Sequence, residues 1–270
     1  MTEVISDTQV VLVERDVEKK IATLSLNRPE KINAFNNALL EGLMSALSEL
    51  ADDDEISVVI LRGSGKNFSA GYDVVSGYSS KTAYEDWRNL QEKIDLWERV
   101  YRFPKPLIAA IEGHCLGGAT MLVSCSDLVI VSETANIGWP SIPLGGGLLS
   151  PVSLWHIGMR KAKELSFIAG NSMSGIEAAE LGWANKAVPE GTALESAQTM
   201  ASRVAKTPLD LLYLKKQALN KVYDRQGFVE SLRAGAEWDA ISHTADSIGE
   251  VKSLMKDKGL KGAIKHFSQS

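Results

Sequence analysis

Phe68-Ser69-Ala70-Gly71-Tyr72-Asp73 and His114-Cys115-Leu116-Gly117-Gly118-Ala119 are two glycine-bearing loops, and the context they share decides the fold. The first follows the apolar run Val58-Val59-Ile60-Leu61, the second Leu107-Ile108-Ala109-Ala110-Ile111, and each run reads as a buried strand. Each loop then opens into a segment that can be helical. Glycine lets a backbone approach a ligand closely and adopt dihedrals closed to other residues. The amides at a helix start lack a partner within the helix and can face a negatively charged oxygen. Two such loops aimed at one point would make an oxyanion hole from main-chain donors alone.

Outward from the loops, Val10–Val13 and Ile21–Leu26 read as strands around a polar turn at Asp16–Lys20. Residues 37–50 carry Leu40, Leu43, Met44, Leu47 and Leu50 at helical period. Val58–Leu61 is apolar on both faces, as a parallel-type sheet demands. Lys81–Val100 is a charged helix with Trp87, Leu90, Ile94 and Trp97 on one stripe, and Gly118–Ser124 is a helix between the strands Leu107–Ile111 and Leu128–Val131. Beyond Val188 the texture is helical. Thr207-Pro208-Leu209-Asp210 reads as a helix start, with a capping threonine and proline in the first turn. Leu211, Leu214, Ala218 and Val222 then mark an apolar stripe. No long Gly/Ser linker intervenes, so the chain divides into a core of 1–200 and a C-terminal helical region of 201–270, packed on the core or on a neighbour.

Composition narrows the function classes. At 270 residues the chain can bury a full core, and 44% hydrophobic and 23% charged residues are ordinary for a globular protein. A net charge of −5 with scattered basic residues gives no support to nucleic-acid binding. No apolar run approaches the roughly 18 residues that span a bilayer, and Met1–Asp7 lacks the apolar centre of a signal peptide. A soluble cytoplasmic protein is expected. Two cysteines, Cys115 and Cys125, fit a reducing compartment, and Cys115 reads as a buried structural thiol. The four histidines form no metal-binding spacing.

The paired loops resemble the enoyl-CoA hydratase/isomerase family, the crotonases. Leu26-Asn27-Arg28-Pro29-Glu30-Lys31-Ile32-Asn33-Ala34 is similar to the family's early N-R-P-x-x-x-N-A turn, and Gly170 through Pro189 to its later block ending V-N-x-V-V-P. The similarity runs from about Val10 to about Phe267. It implies an α/β fold, a spiral of ββα turns with the C-terminal helices building trimers or dimers of trimers and closing the CoA site. It also implies an acyl-CoA substrate, with no cofactor beyond the CoA that the substrate carries.

Matched motif by motif, the family's two oxyanion donors fall on the amides of Tyr72 and Gly118. Its CoA and acyl contacts fall on Arg28, Ala34, Ala70, Gly71, Asp73, Val74 and Gly117, with Trp139 and Leu149 at the acyl end. A lysine offered to the CoA phosphates is matched only by Lys265 and His266. The family's two acid-base glutamates are absent: Met121 stands at the first position and Ser141 at the second. The glycine-rich stretch Gly145–Pro151 is roughly three residues short, with Leu148 or Leu149 where some relatives place an aspartate.

Other polar groups weigh less. Tyr72 and Tyr78 could act as acids, Asp73 reads as a helix cap, Glu112 as a turn residue and His114 as a packed loop residue. His156 with Ser141 is a remote nucleophile pair. The expected function is an acyl-CoA thioester enzyme that stabilises an enolate or oxyanion. A decarboxylase or hydrolase of the same superfamily, or a CoA-thioester binding protein without turnover, are the alternatives.

Overall fold

A computed structural model describes residues 10–73, 82–139, 143 and 150–268. In chain order the elements are β1 (Val11–Asp16), β2 (Ile21–Leu26), α1 (Asn37–Ala51), β3 (Val58–Gly63), α2 (Ala83–Tyr101), β4 (Leu107–Ile111), β5 (His114–Leu116), α3 (Gly118–Ser124), β6 (Leu128–Ser132) and β7 (Asn136–Gly138). They continue with α4 (Ser150–Phe167), β8 (Ser172–Ser174), α5 (Gly175–Glu180), β9 (Lys186–Val188), α6 (Ala193–Val204), α7 (Leu209–Arg225), α8 (Phe228–Ser242) and α9 (Asp246–Ser268). The main sheet runs β1-β2-β3-β4-β6-β9, with β1 antiparallel and every other neighbour parallel. A second sheet, β5-β7-β8, stands beside it.

The doubly apolar strands have a direct explanation. Val58, Ile60, Ile108, Ala110 and Ile130 point to one face, where α6 covers them with Ala193, Ala197 and Ala201. Val59, Leu61, Leu107, Ala109 and Ile111 point to the other face and join the large core beneath α1, α2 and α3. Alternate residues of a strand face opposite sides, so a sheet covered on both faces needs continuous apolar runs.

The C-terminal region takes up both of the packings open to it, and one cap is corrected. Phe228, Leu232, Ala236 and Ala240 of α8 belong to the same core as Val11 and Leu24. Helix α7 begins at Leu209 with Pro208 as its N-cap, and Thr207 makes no side-chain cap there. The fixed φ of Pro208 suits the entry on its own. The stripe Leu211, Leu214, Ala218 and Val222 faces outward: Leu214 is 60% exposed, and the only buried residue of α7 is Lys216.

Lys216 explains how α7 is held. Its ammonium lies 2.6 Å from Asp127 Oδ2 and donates to the Lys105 carbonyl. Asp127 also accepts from the Leu107 amide at 2.8 Å, so one partly buried ion pair ties α7 to β4 and to the start of β6. Burial pushes both groups toward their neutral forms, and each partner's charge opposes that push.

Candidate active site at two converging loops

The early turn organises the first loop. Ile32 and Asn33 are consecutive left-handed residues, at φ 51° and 50°. Such a pair persists only when its surroundings over-determine it, and Asn33 supplies that determination. Fully buried, it accepts from the Arg28 amide through Oδ1 and donates Nδ2 to the Ser64, Asn67 and Phe68 carbonyls. Ser69 Oγ donates to the Asn33 carbonyl and accepts from the Gly71 amide at 3.0 Å. Arg28 closes the turn, donating to the Ala34 carbonyl at 2.6 Å and lying 3.7 Å from Asp73. Asp73, read as a cap for the helix after the loop, is also a partner of Arg28, and residues 74–81 that follow it lie outside the described ones. The next described helix, α2, is capped by Thr82.

The second loop is partly a strand. Ser69 and Cys115 bridge in parallel, with Ser69 N donating to His114 O and Leu116 N to Ser69 O. Gly117 N donates to Gly138 O at 2.9 Å, and Gly118 begins α3. Gly71 sits at φ +80°, and a Cβ there would stand 2.4 Å from the Leu116 carbonyl oxygen and 2.7 Å from the Gly118 nitrogen. Only glycine allows the two loops to approach so closely. A Cβ on Gly118 would meet the Tyr72 ring at 2.7 Å, so the ring of one predicted donor lies on the backbone of the other. Among the described residues the Gly118 amide has no acceptor. The Tyr72 hydroxyl accepts from Trp97 Nε1 at 3.0 Å, and its ring meets Phe35 edge-on.

The remaining candidates take these places. Ala34 is buried and Ala70 donates its amide to Ile32, so both line the turn beneath the loops. Met121, one turn into α3, is fully buried in the main core. Trp139 is 4% exposed, and its Nε1 has no hydrogen-bond partner among the described residues. Val74, Tyr78, Ser141, Leu148 and Leu149 lie outside the described residues. Lys265 and His266 sit in the last turn of α9.

Glu112 accepts from the Ala193 amide at 2.9 Å, acting as a remote cap for α6. His114 Nδ1 lies 3.3 Å from the Asn136 side chain, in keeping with a packed loop residue. Burial pushes the Cys115 thiol far up and Cys125 to about 12, so neither is a thiolate at neutral pH. His156 is half-buried beside Phe228 with its Nε2 closed to solvent, and desolvation lowers its pKa. Sequence reasoning quoted Asn33 within the early turn without its bonding role, and it passed over Lys93 of α2. Lys93 had a readable signal, a charge set on the Leu90–Ile94–Trp97 face of α2.

A ββα spiral that presses two glycine loops together, one of them at a helix start, is the crotonase fold. The Enoyl-CoA hydratase/isomerase family profile matches residues 16–248, and the chain belongs to that family. It is 33% identical over 225 residues to the 2,3-dehydroadipyl-CoA hydratase of Escherichia coli, covering 81% of this chain and 83% of that one. It is 32% identical over 218 residues to the short-chain-enoyl-CoA hydratase of Clostridium acetobutylicum, covering 78% and 81%. The backbone matches a crystal structure of an enoyl-CoA hydratase/isomerase from Xanthobacter autotrophicus with TM-score 0.87 and 28% identity, over 95% of this chain and 96% of that one.

Proposed function

We propose that the chain is an acyl-CoA thioester enzyme that holds a thioester enolate or tetrahedral oxyanion between the amides of Tyr72 and Gly118. The contact between Gly71 and the Gly118 nitrogen carries this reading, since it brings the two loops to one point. Preorganised amides stabilise charge that develops in the transition state without reorganising at the moment of reaction. The relatives named as hydratases favour a lyase, whereas Met121 and Ser141 replace the carboxylates that hydration needs. A reaction whose substrate supplies its own charge, such as decarboxylation, suits this residue set better. A panel of enoyl-, malonyl- and β-ketoacyl-CoA thioesters, followed by mass spectrometry, tests the reading. A catalysed mass change in at least one thioester is expected, and none across the panel would overturn it.

Restoring the carboxylates is expected to raise hydration modestly. Met121→Glu with Ser141→Glu should hydrate crotonyl-CoA measurably faster than the parent protein, read from loss of the enoyl absorbance. The gain is limited because position 121 is fully buried, so a glutamate there meets desolvation that raises its pKa. A parent protein that already matches a normal hydratase would refute the premise.

The outward stripe on α7 supports assembly. Leu211, Leu214, Leu219 and Val222 are all exposed, and Leu219 is 71% so. Contiguous exposed apolar surface marks an interaction site, and a homotrimer or dimer of trimers, in the cytoplasm, is the arrangement we assign. No described helix is long and apolar enough to cross a membrane.

A further inference from the structure

The seam between α2 and α8 holds four ionisable side chains beside the oxyanion pair. Lys93 is half-buried on the inner face of α2, and its ammonium lies 4.6 Å from the centre of the Tyr72 ring. That ring rests on Gly118, so the ammonium stands one ring away from both proposed donors. Asp86, two turns earlier on α2, and Asp239 of α8 are both buried, and both carboxylates favour the charged lysine. Burial acts more strongly and draws the Lys93 pKa below the usual lysine range. His243, which caps α8, places Nδ1 2.7 Å from Asp86 Oδ2 and keeps a quarter of its side chain open to solvent. The rival proton carriers have other duties or are shut: Glu112 caps α6, Cys115 is buried, and the Nε2 of half-buried His156 is closed to solvent.

We propose that Lys93 is the residue that moves protons to and from the acyl α-carbon, with Asp86 and His243 exchanging its proton with solvent. The inference rests on the oxyanion reading above. In the forward step the neutral Lys93 amine takes a proton from the α-carbon. The C–H bond breaks, its electron pair forms the enolate C=C, and the oxygen charge rests on the two amides. The new ammonium passes its proton along Asp86 to His243 and water. In reverse, the ammonium gives its proton to the α-carbon of an enolate left by loss of carbon dioxide, and the thioester carbonyl re-forms. A positioned acid-base group of this kind contributes about 100- to 10,000-fold.

Exchange of α-hydrogens in deuterium oxide tests the proposal without knowledge of the natural substrate. Full-length protein is incubated with butyryl-CoA, and deuterium in the acyl group is read by mass spectrometry. Wild type should catalyse exchange, with a rate that rises with pH and levels below the usual lysine range as the amine is freed. Lys93→Met should cut exchange by at least about 100-fold while calorimetric affinity for butyryl-CoA is unchanged. Lys93→Arg should not rescue it, because guanidinium does not release its proton at these pH values. Undiminished exchange in Lys93→Met, or no wild-type exchange above the solvent rate, would overturn the proposal. Should Lys93→Met fail to fold, His243→Gln decides, since unchanged exchange there removes the relay. Loss in Lys93→Met with retention in Gly118→Pro would sink the oxyanion reading and leave Lys93 standing. The opposite pattern would do the reverse.

Discussion

Proline at position 118 is expected to lower turnover about 100- to 1,000-fold on whichever CoA thioester the protein processes, the range seen when one donor leaves an oxyanion hole. Gly118 is the first residue of α3, a position that tolerates proline because its N–H has no partner inside the helix. The substitution therefore removes the donor without breaking the helix. It also adds a Cβ where the Tyr72 ring now lies, at 2.7 Å, and displacing that ring has an effect of its own. Gly118→Ala carries the same displacement and keeps the N–H. The ratio of kcat/KM between the alanine and proline variants isolates the amide. Equal values would mean that the Gly118 amide holds no developing charge.

Lys216→Met is expected to destabilise the protein by about 1–3 kcal/mol, less than the ~3–5 kcal/mol of a fully buried pair, because the Asp127 side chain stays 23% open to solvent. Without the ammonium, the Leu107 amide is the partner the Asp127 carboxylate keeps among the described residues. Urea denaturation at fixed protein concentration measures the loss, since any assembly makes the midpoint concentration-dependent. Adding Asp127→Leu should recover part of the deficit, because it removes the carboxylate left facing the buried end of the seam. A single-variant loss below about 1 kcal/mol, typical of an exposed pair, would show that α7 is held by something else.

The strands and the inner helices were legible because their patterns are set by burial on both sides of one sheet. Val58–Leu61 and Leu107–Ile111 could be read directly, and α3 begins and ends where the sequence places it. The two glycine loops were legible for a different reason, since only glycine permits the approach of Gly71 to Leu116. The stripe on α7 was read correctly as apolar, yet periodicity cannot say whether such a face meets its own core or a neighbour. The Arg28 partner of Asp73 was not legible, because a guanidinium 45 positions earlier in the chain is brought near only by the folded turn. Asn33 was quoted as part of the turn, but its structural role was not legible because three of its four bonds reach backbone groups that only the folded chain brings near.

The two cysteines carry a consequence for oxidative stress. Both are closed to solvent, and both thiols are held protonated by burial. Peroxide attacks thiolates, so the sulfur lying directly in the second glycine loop is spared the oxidation ladder that disables thiol enzymes. Cys115 can hold its position by shape alone, and alkylating agents reach neither thiol while the fold is closed. Labelling of either sulfur therefore reports opening of the fold around the second glycine loop.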